Sequence, residues 1–310
     1  MPPPKDEVCK VKTKIIYEDQ DVLVIQKPPG LATQTSKVGQ QDVVSELKNY
    51  LAVKASAGFH TDTSKGCSTG LCTGTSKKRS TGLYTDTSKE RLNVEPYLGI
   101  IHRLDQPVEG LLVFAKNKNA AAALTAQLHK EKRADAAKWR GERAYLTDQL
   151  RGEKDGGAGT LNKIYYGVFC GKAPGNSGEL IDYLYKDPSG KAMIWEESEG
   201  EKPPQVKRAV LQYHILQTER VQDIRLSLAK IHIVTGRYHQ IRAQMSHAGM
   251  SLLGDVKYVD AAAKAASERL NIRNVALCAF YLEFCHPITK EKLSFQMKPQ
   301  GEVFSFFSIK

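Results

Sequence analysis

Gly99 to Lys116 reads GIIHRLDQPVEGLLVFAK, and the parsing of this stretch decides the fold. Two apolar runs, Gly99 to Leu104 and Leu111 to Ala115, are short, rich in Ile, Val, Leu and Phe, and separated by a break containing Pro107 and Gly110. That pattern predicts two strands. Asp105 then stands where the first strand runs out, beside His102 and Arg103. A carboxylate at a strand end is carried by a rigid element yet faces a loop that a ligand can reach, which makes Asp105 a candidate nucleophile or base. The same residue also suits a turn aspartate that bonds its own backbone ahead of Pro107.

On the N-terminal side, KIIYEDQDVLVIQK (14–27) places an acidic turn between two β-rich runs and predicts a hairpin. It ends in KPPGL. Lys27 precedes Pro28, Pro29 and Gly30, so its backbone is extended and the chain turns sharply after it; a lysine held there can present its ammonium at the edge of a site, although an exposed strand-end lysine is the more frequent case. QDVVSELKNYLAV (41–53) carries Val43, Val44, Leu47 and Leu51 at helical spacing. On the C-terminal side, Ala-rich Lys118 to Leu128 predicts a helix capped near Asn117 or Asn119. KIYYGVFC (163–170), residues 178–200, RAVLQYHIL (208–216) and RLSLAKIHIVT (225–235) read as strands and a hairpin, and the last of them slips out of alternation near Lys230 as a bulge would make it do. Tyr238 to His247 reads as a helix with Ile241, Met245 and Ala248 on one face and Gly249 at its stop. Arg242 lies on the flank of that face and points along a cleft wall. Val275 to Phe284 and HPITKEKLSFQM (286–297) close the sheet with a strand, a turn and a strand. Strands outnumber helices and hairpins outnumber βαβ units, which predicts an α+β domain with a largely antiparallel or mixed sheet flanked by helices.

Two segments break the pattern. Residues 54–96 turn to Thr, Ser, Gly and Lys, with TDTSKGCSTGLC (61–72), TGTSKKRSTGLY (73–84) and TDTSKE (85–90) repeating at a period of 12 residues. Beyond Leu71, Leu83 and Tyr84 the repeat has almost nothing apolar to offset the entropy of ordering it, so it reads as a disordered or loosely packed insertion, and deleting residues 60–90 is expected to leave the fold intact. Residues 130–160 are strongly charged and end in RGEKDGGAGT, a second insertion expected to be partly helical. The rest is one domain over 1–310.

The totals fit this outline. With 310 residues, 41% hydrophobic and 25% charged, the chain matches a globular protein and its apolar runs fall short of a membrane span. MPPPKDEVCKVKTK at the start lacks the apolar core of a secretory signal, so a cytoplasmic location is expected. Forty-five Lys and Arg against 34 Asp and Glu give a net charge of +11, which favours encounter with polyanions such as nucleic acid. The six cysteines, Cys9, Cys67, Cys72, Cys170, Cys278 and Cys285, contain no CxxC pair and suit neither zinc nor a disulfide framework. Cys170, Cys278 and Cys285 sit in apolar runs and read as small buried hydrophobes.

Three distant segments carry polar residues that a plain core would not: HRLD with Asp105, KIYYGVFCG with Tyr165, and TGRYHQIR with Arg237, His239 and Arg242. HRLD is not the kinase HRD, and the Gly-rich loop, VAIK and DFG are missing. Together KPPGL (27–31), HRLD (102–105) with GLLVFAK behind it, KIYYGVFCG (163–171), TGRYHQIRAQMSHAGMSLLGD (235–255) and VALCAFYLEFCHPIT (275–289) resemble the RluA-type pseudouridine synthases in order and spacing. The resemblance implies that family's fold with a central RNA-binding cleft, and conversion of uridine to pseudouridine in structured ribosomal or transfer RNA. It implies Asp105 as the catalytic aspartate, Tyr165 as the tyrosine that stacks on the uracil, and Arg242 as the basic residue that pairs with the carboxylate. Arg103 matches the arginine that compensates for the flipped-out nucleotide, and Ile241 an apolar residue packed under the uracil. His102, Arg237, His239 and Gln240 are assigned to positioning and to contact with RNA, as is Lys27. No metal or organic cofactor is implied, no appended N-terminal RNA-binding domain is expected, and the protein is expected to act as a monomer. One departure stands out: many members read Lys-Asp-Thr-Ser-Gly after HRLD, whereas Gln106, Pro107, Val108 and Glu109 precede Gly110 here, which changes what the loop offers a phosphate. The rival reading is a non-catalytic RNA-binding protein that retains the fold.

Overall fold

Eleven strands, β1 (Lys14–Glu18), β2 (Val22–Lys27), β3 (Gly99–Ile100), β4 (Glu109–Ala115), β5 (Asn162–Cys170), β6 (Ser177–Lys186), β7 (Ala192–Trp195), β8 (Lys207–Val221), β9 (Ile224–Ile233), β10 (Leu277–Cys285) and β11 (Lys292–Gln296), form one mixed sheet. Among the described residues four helices, α1 (Val43–Gly58), α2 (Lys118–Lys138), α3 (Gln240–His247) and α4 (Ala261–Arg269), pack against it. The structure, a computed structural model, describes residues 13–35, 37, 39–58, 95–138, 159–196, 198, 200–201 and 203–309. Most of the 54–96 repeat and most of the 130–160 segment lie outside the described residues, although α2 runs on to Lys138. Among the described residues no helix is long and apolar enough to cross a membrane.

The strand order is β1-β2-β4-β10-β5-β9-β8-β6-β7, with β3 added to β4 and β11 to β10. Every pairing is antiparallel except β4 with β10, which run parallel through Cys278↔Glu109 and Ala279↔Gly110. This short parallel seam joins two antiparallel halves. Gly110 permits it: φ is +143°, and a Cβ there would come within 2.5 Å of the Ala279 Cβ. Period-2 alternation then sorts the side chains to two faces. Leu23, Ile25, Leu112, Phe114, Tyr165, Ile231 and Leu277 face α1 and α3, while Val24, Val113, Val168, Leu228, Phe280 and Phe284 face α2, α4 and the C-terminal turn at Phe304. With both faces covered, all seven residues of β4 are buried.

Several local expectations shift. The run Gly99 to Leu104 is a strand only through Ile100, because the chain must leave the ladder to carry Asp105 across the seam. The bulge expected near Lys230 lies instead on the facing strand, where Ile215↔Ala229 is followed by Gln217↔Leu228 and Leu216 is the extra residue. Cys278 is buried, but Cys170 and Cys285 are half-buried. The caps follow sequence chemistry: Asp42 Oδ1 accepts from Ser45 N (2.7 Å) before α1, and Asn117 Oδ1 from Ala120 N (2.8 Å) before α2.

Candidate active site

The loop that carries Asp105 is clasped from below. Leu104 exchanges two hydrogen bonds with the Thr33 hydroxyl, its carbonyl accepting at 2.9 Å and its N–H donating at 3.2 Å. Val108 N donates to the Asp105 carbonyl at 3.1 Å, so Asp105 does open a turn, as its place before Pro107 suggests. The KPPGL loop locks that turn: Gly30 N donates to the Gln106 carbonyl (2.9 Å) and Gln106 Nε2 to the Gly30 carbonyl (3.0 Å). Lys27 does not stand at an exposed edge. Its side chain is fully buried and donates to the carbonyls of Pro28 (2.9 Å), Leu31 (2.7 Å) and Gln106 (3.0 Å). Burial lowers its pKa to about 7, while Asp105 and Glu109 pull it back up. Lys27 is therefore a brace between two loops, and RNA does not reach it in this conformation.

Arg242, in the first turn of α3, meets Asp105 across 137 residues of chain, Nη1 lying 3.2 Å from Oδ2. Its Nε and Nη2 form a fork onto Asp255, at 2.7 Å to Oδ2 and 2.8 Å to Oδ1. Asp255 is fully buried and also accepts from Lys257 N (2.8 Å) and Tyr258 N (3.2 Å). Burial disfavours both charges, but each partner more than offsets it: Arg242 is held above the usual range and Asp255 below it. One arm of the guanidinium is thus fixed by Asp255 and the other is aimed at Asp105, whose side chain is 26% exposed. Among the described residues nothing hydrogen-bonds the second carboxylate oxygen, Oδ1.

His239 adds a second approach to Asp105, with Nε2 at 3.7 Å from Oδ2. It precedes α3 in a left-handed conformation (φ 49°, ψ 27°), stacks on the half-exposed Tyr238 ring at 3.8 Å, and places Nδ1 2.8 Å from the Tyr258 hydroxyl. Gln240 is buried and braces this corner: its Oε1 accepts from Thr235 Oγ1 and Arg237 N, and its Nε2 donates to the Val210 carbonyl, each at 2.9 Å. Arg237 Nε donates to the Arg208 carbonyl at 2.9 Å. Arg103 is exposed and has no hydrogen-bond partner among the described residues. His102 points inward, its Nε2 3.5 Å from Val113 N, and burial holds its pKa far below the usual histidine value. Direct contact with RNA therefore fits Arg103 and Arg237 but not His102, Gln240 or Lys27 in this conformation. Tyr165 and Ile241 are both buried in one apolar cluster with Leu104 and Val108.

Glu109 resolves the departure in the loop. It turns away from the Asp105 side of the seam and accepts from Gln300 N (3.1 and 3.0 Å) and Gly301 N (3.0 Å), tying β4 to the C-terminal segment. Sequence reasoning missed Asp255 and Tyr258 as parts of the site. Asp255 closes the quoted motif, but its role depends on the turn at Gly254 (φ +70°), which folds the chain back under α3. Asp19, Asp21 and His286 each bring a ligand-type atom within 4.8 Å of the others, yet Asp19 and His286 are already engaged in hydrogen bonds, and Asp21 Oδ1 accepts from Asn117 Nδ2 at 2.7 Å. His286 Nδ1 accepts from Thr289 N at 3.1 Å and Nε2 faces Asp19 Oδ2 at 3.0 Å, while Asp19 Oδ1 accepts from Asp21 N and Val22 N. The cluster is a turn clasp.

The family model described as RNA pseudouridylate synthase matches residues 21–139 and 143–247. An uncharacterised RNA pseudouridine synthase of Aquifex aeolicus is 25% identical, the alignment covering 98% of this chain and 77% of that protein. The dual-specificity RNA pseudouridine synthase RluA of Vibrio vulnificus is 26% identical over 95% of this chain and 89% of its own. The ribosomal large subunit pseudouridine synthase D of Zymomonas mobilis is 26% identical over 99% and 75%. In fold, the chain resembles human RNA pseudouridylate synthase domain containing 1, with a TM-score of 0.56 at 17% identity over 96% of this chain and 86% of that one.

Proposed function

The chain belongs to the RNA pseudouridylate synthase family and is an RNA pseudouridine synthase; on that premise we propose that the reaction runs at Asp105, with Arg242 and Tyr165 completing the site. In this isomerisation the bond from ribose C1′ to uracil N1 breaks, the base turns, a bond from C1′ to C5 forms, the C5 hydrogen leaves as a proton, and N1 takes up a proton, so that the composition is unchanged. Asp105 assists at C1′, where a carboxylate is ionised at neutral pH and needs no activating base. Arg242 keeps that carboxylate charged and aimed, and Tyr165 holds the detached uracil by stacking, worth about 1–3 kcal/mol. Arg103 compensates for extruding the nucleotide, which costs a few kcal/mol.

The observation that carries this reading is the Asp255–Arg242–Asp105 chain, in which one Asp105 oxygen is held and the other has no hydrogen-bond partner among the described residues. The substrate proposed is a structured ribosomal or transfer RNA, and the protein is proposed to act on it as a cytoplasmic monomer without a metal or organic cofactor. The test is release of tritium from ribosomal and transfer RNA labelled at uracil C5, with wild type expected to release it and Asp105→Asn expected to release none. No release by wild type from either pool would overturn the proposal and favour a non-catalytic RNA-binding protein.

A further inference from the structure

Two polar groups approach the same oxygen of Asp105. Arg242 Nη1 lies 3.2 Å from Oδ2 and His239 Nε2 lies 3.7 Å from it. The guanidinium is always a donor, but an imidazole nitrogen is a donor or an acceptor according to its tautomer. With a proton on Nε2, His239 attracts the carboxylate; with a lone pair there, it repels it. What fixes the tautomer is the bond made by the other ring nitrogen.

That bond is to Tyr258, whose hydroxyl stands 2.8 Å from His239 Nδ1. The same hydroxyl oxygen accepts the backbone N–H of Ala192 at 2.6 Å, in the β6–β7 region. A phenol has one proton to donate, and with the Ala192 N–H directed at the oxygen, His239 Nδ1 is the acceptor available to it among the described residues. The Tyr258 ring is buried, lies edge-on to the imidazole (5.6 Å, 88°), and faces the Arg242 guanidinium at 5.1 Å from its centroid. We infer that Tyr258 is a positioning residue for the reaction: by donating to Nδ1 it holds His239 in the Nε2–H form, so that Oδ2 of Asp105 is anchored between His239 and Arg242 and Oδ1 is the oxygen presented to the ribose. This rests on Asp105 being the reacting carboxylate. Burial supports the assignment from both sides, since it raises the Tyr258 phenol to about 12 and lowers His239 to about 4, keeping the first protonated and the second neutral.

The strained backbone of His239 supplies a sharp test. At φ 49° an asparagine is tolerated better than a glutamine, but an asparagine amide reaches only the place of Nδ1, whereas a glutamine amide reaches that of Nε2. A structural role therefore predicts that His239→Asn is the better substitute, and the tautomer role predicts His239→Gln. In imidazole 15N spectra of the full-length protein, His239 is expected as the Nε2–H tautomer in wild type and as a mixture or the Nδ1–H form in Tyr258→Phe. With tritiated RNA, Tyr258→Phe is expected to lower kcat by about 10–100-fold, the scale of a small misplacement of a reacting group, with KM little changed. An unshifted tautomer in Tyr258→Phe, or His239→Asn more active than His239→Gln, overturns the inference. Wild type inactive on all RNA overturns the Asp105 assignment instead, and the spectra tell the two failures apart.

Discussion

At the scale of single residues, Arg242 bears the greatest electrostatic weight. Its fork satisfies Asp255, whose side chain has no exposure, so Arg242→Ala leaves a buried carboxylate without its counter-charge. A loss of about 3–5 kcal/mol is expected in urea unfolding, together with loss of activity. Asp105→Asn should behave differently, abolishing tritium release while the melting temperature stays close to that of wild type, since Asp105 is partly exposed and engaged through one oxygen. Histidines set the response to acid. Burial lowers His239 from its ordinary value to about 4 and also holds His102 well below the usual histidine value, so between about pH 6.5 and 4 the unfolded chain binds more protons than the folded one. Stability is therefore full above pH 6.5 and falls as pH drops through that window, measurable as a declining urea midpoint. The candidacy of Asp105 was legible in the sequence, because a polar run at the end of an apolar one is visible locally and HRLD lies in a motif that resembles the family's. That of Tyr258 was not, because nothing near Gly254 to Asp260 announces that its hydroxyl meets a histidine 19 residues earlier.

At the scale of elements, the decisive feature is the parallel seam between β4 and β10. The hairpin of β1 and β2 was readable from alternation and turn residues, whereas β4 and β10 are far apart in sequence and share only a short register. Gly110 is the residue on which that seam depends. Gly110→Ala would place a methyl 2.5 Å from the Ala279 Cβ and 2.6 Å from its backbone N, at a φ of +143° that side chains rarely adopt. A loss of about 3–5 kcal/mol is expected in urea unfolding, with reduced activity in whatever fraction stays folded, because the Asp105 turn leads directly into the seam. Lys27 illustrates why such braces escape sequence reading. An exposed strand-end lysine and a buried one bonding three carbonyls look alike in KPPGL; only packing separates them.

For the whole molecule, charge sets the partner. A net charge of +11 draws the chain to RNA, and binding is expected to weaken with salt along a straight line in log K against log salt. Arg103 is exposed and unpartnered among the described residues, so Arg103→Ala is expected to lower the magnitude of that slope by about 1 if it meets a phosphate. A slope unchanged from wild type would remove Arg103 from the RNA contact. The family's model covers the region from β2 through α3, the part of the chain that contains Asp105, Tyr165 and Arg242.

The sequence by itself determined the α+β class, the opening hairpin, the Asn117 cap and the family, and it nominated the three residues of the proposed site, because each is written in local periodicity or in a motif of fixed spacing. Only the tertiary structure decided that Lys27 and Gln240 are braces, that Glu109 ties down the C-terminal segment, and that Asp255 and Tyr258 stand behind Arg242 and His239. These roles are set by which buried polar atoms meet across the sheet. A buried polar group must find a partner, but the chain supplies that partner from wherever folding happens to bring it.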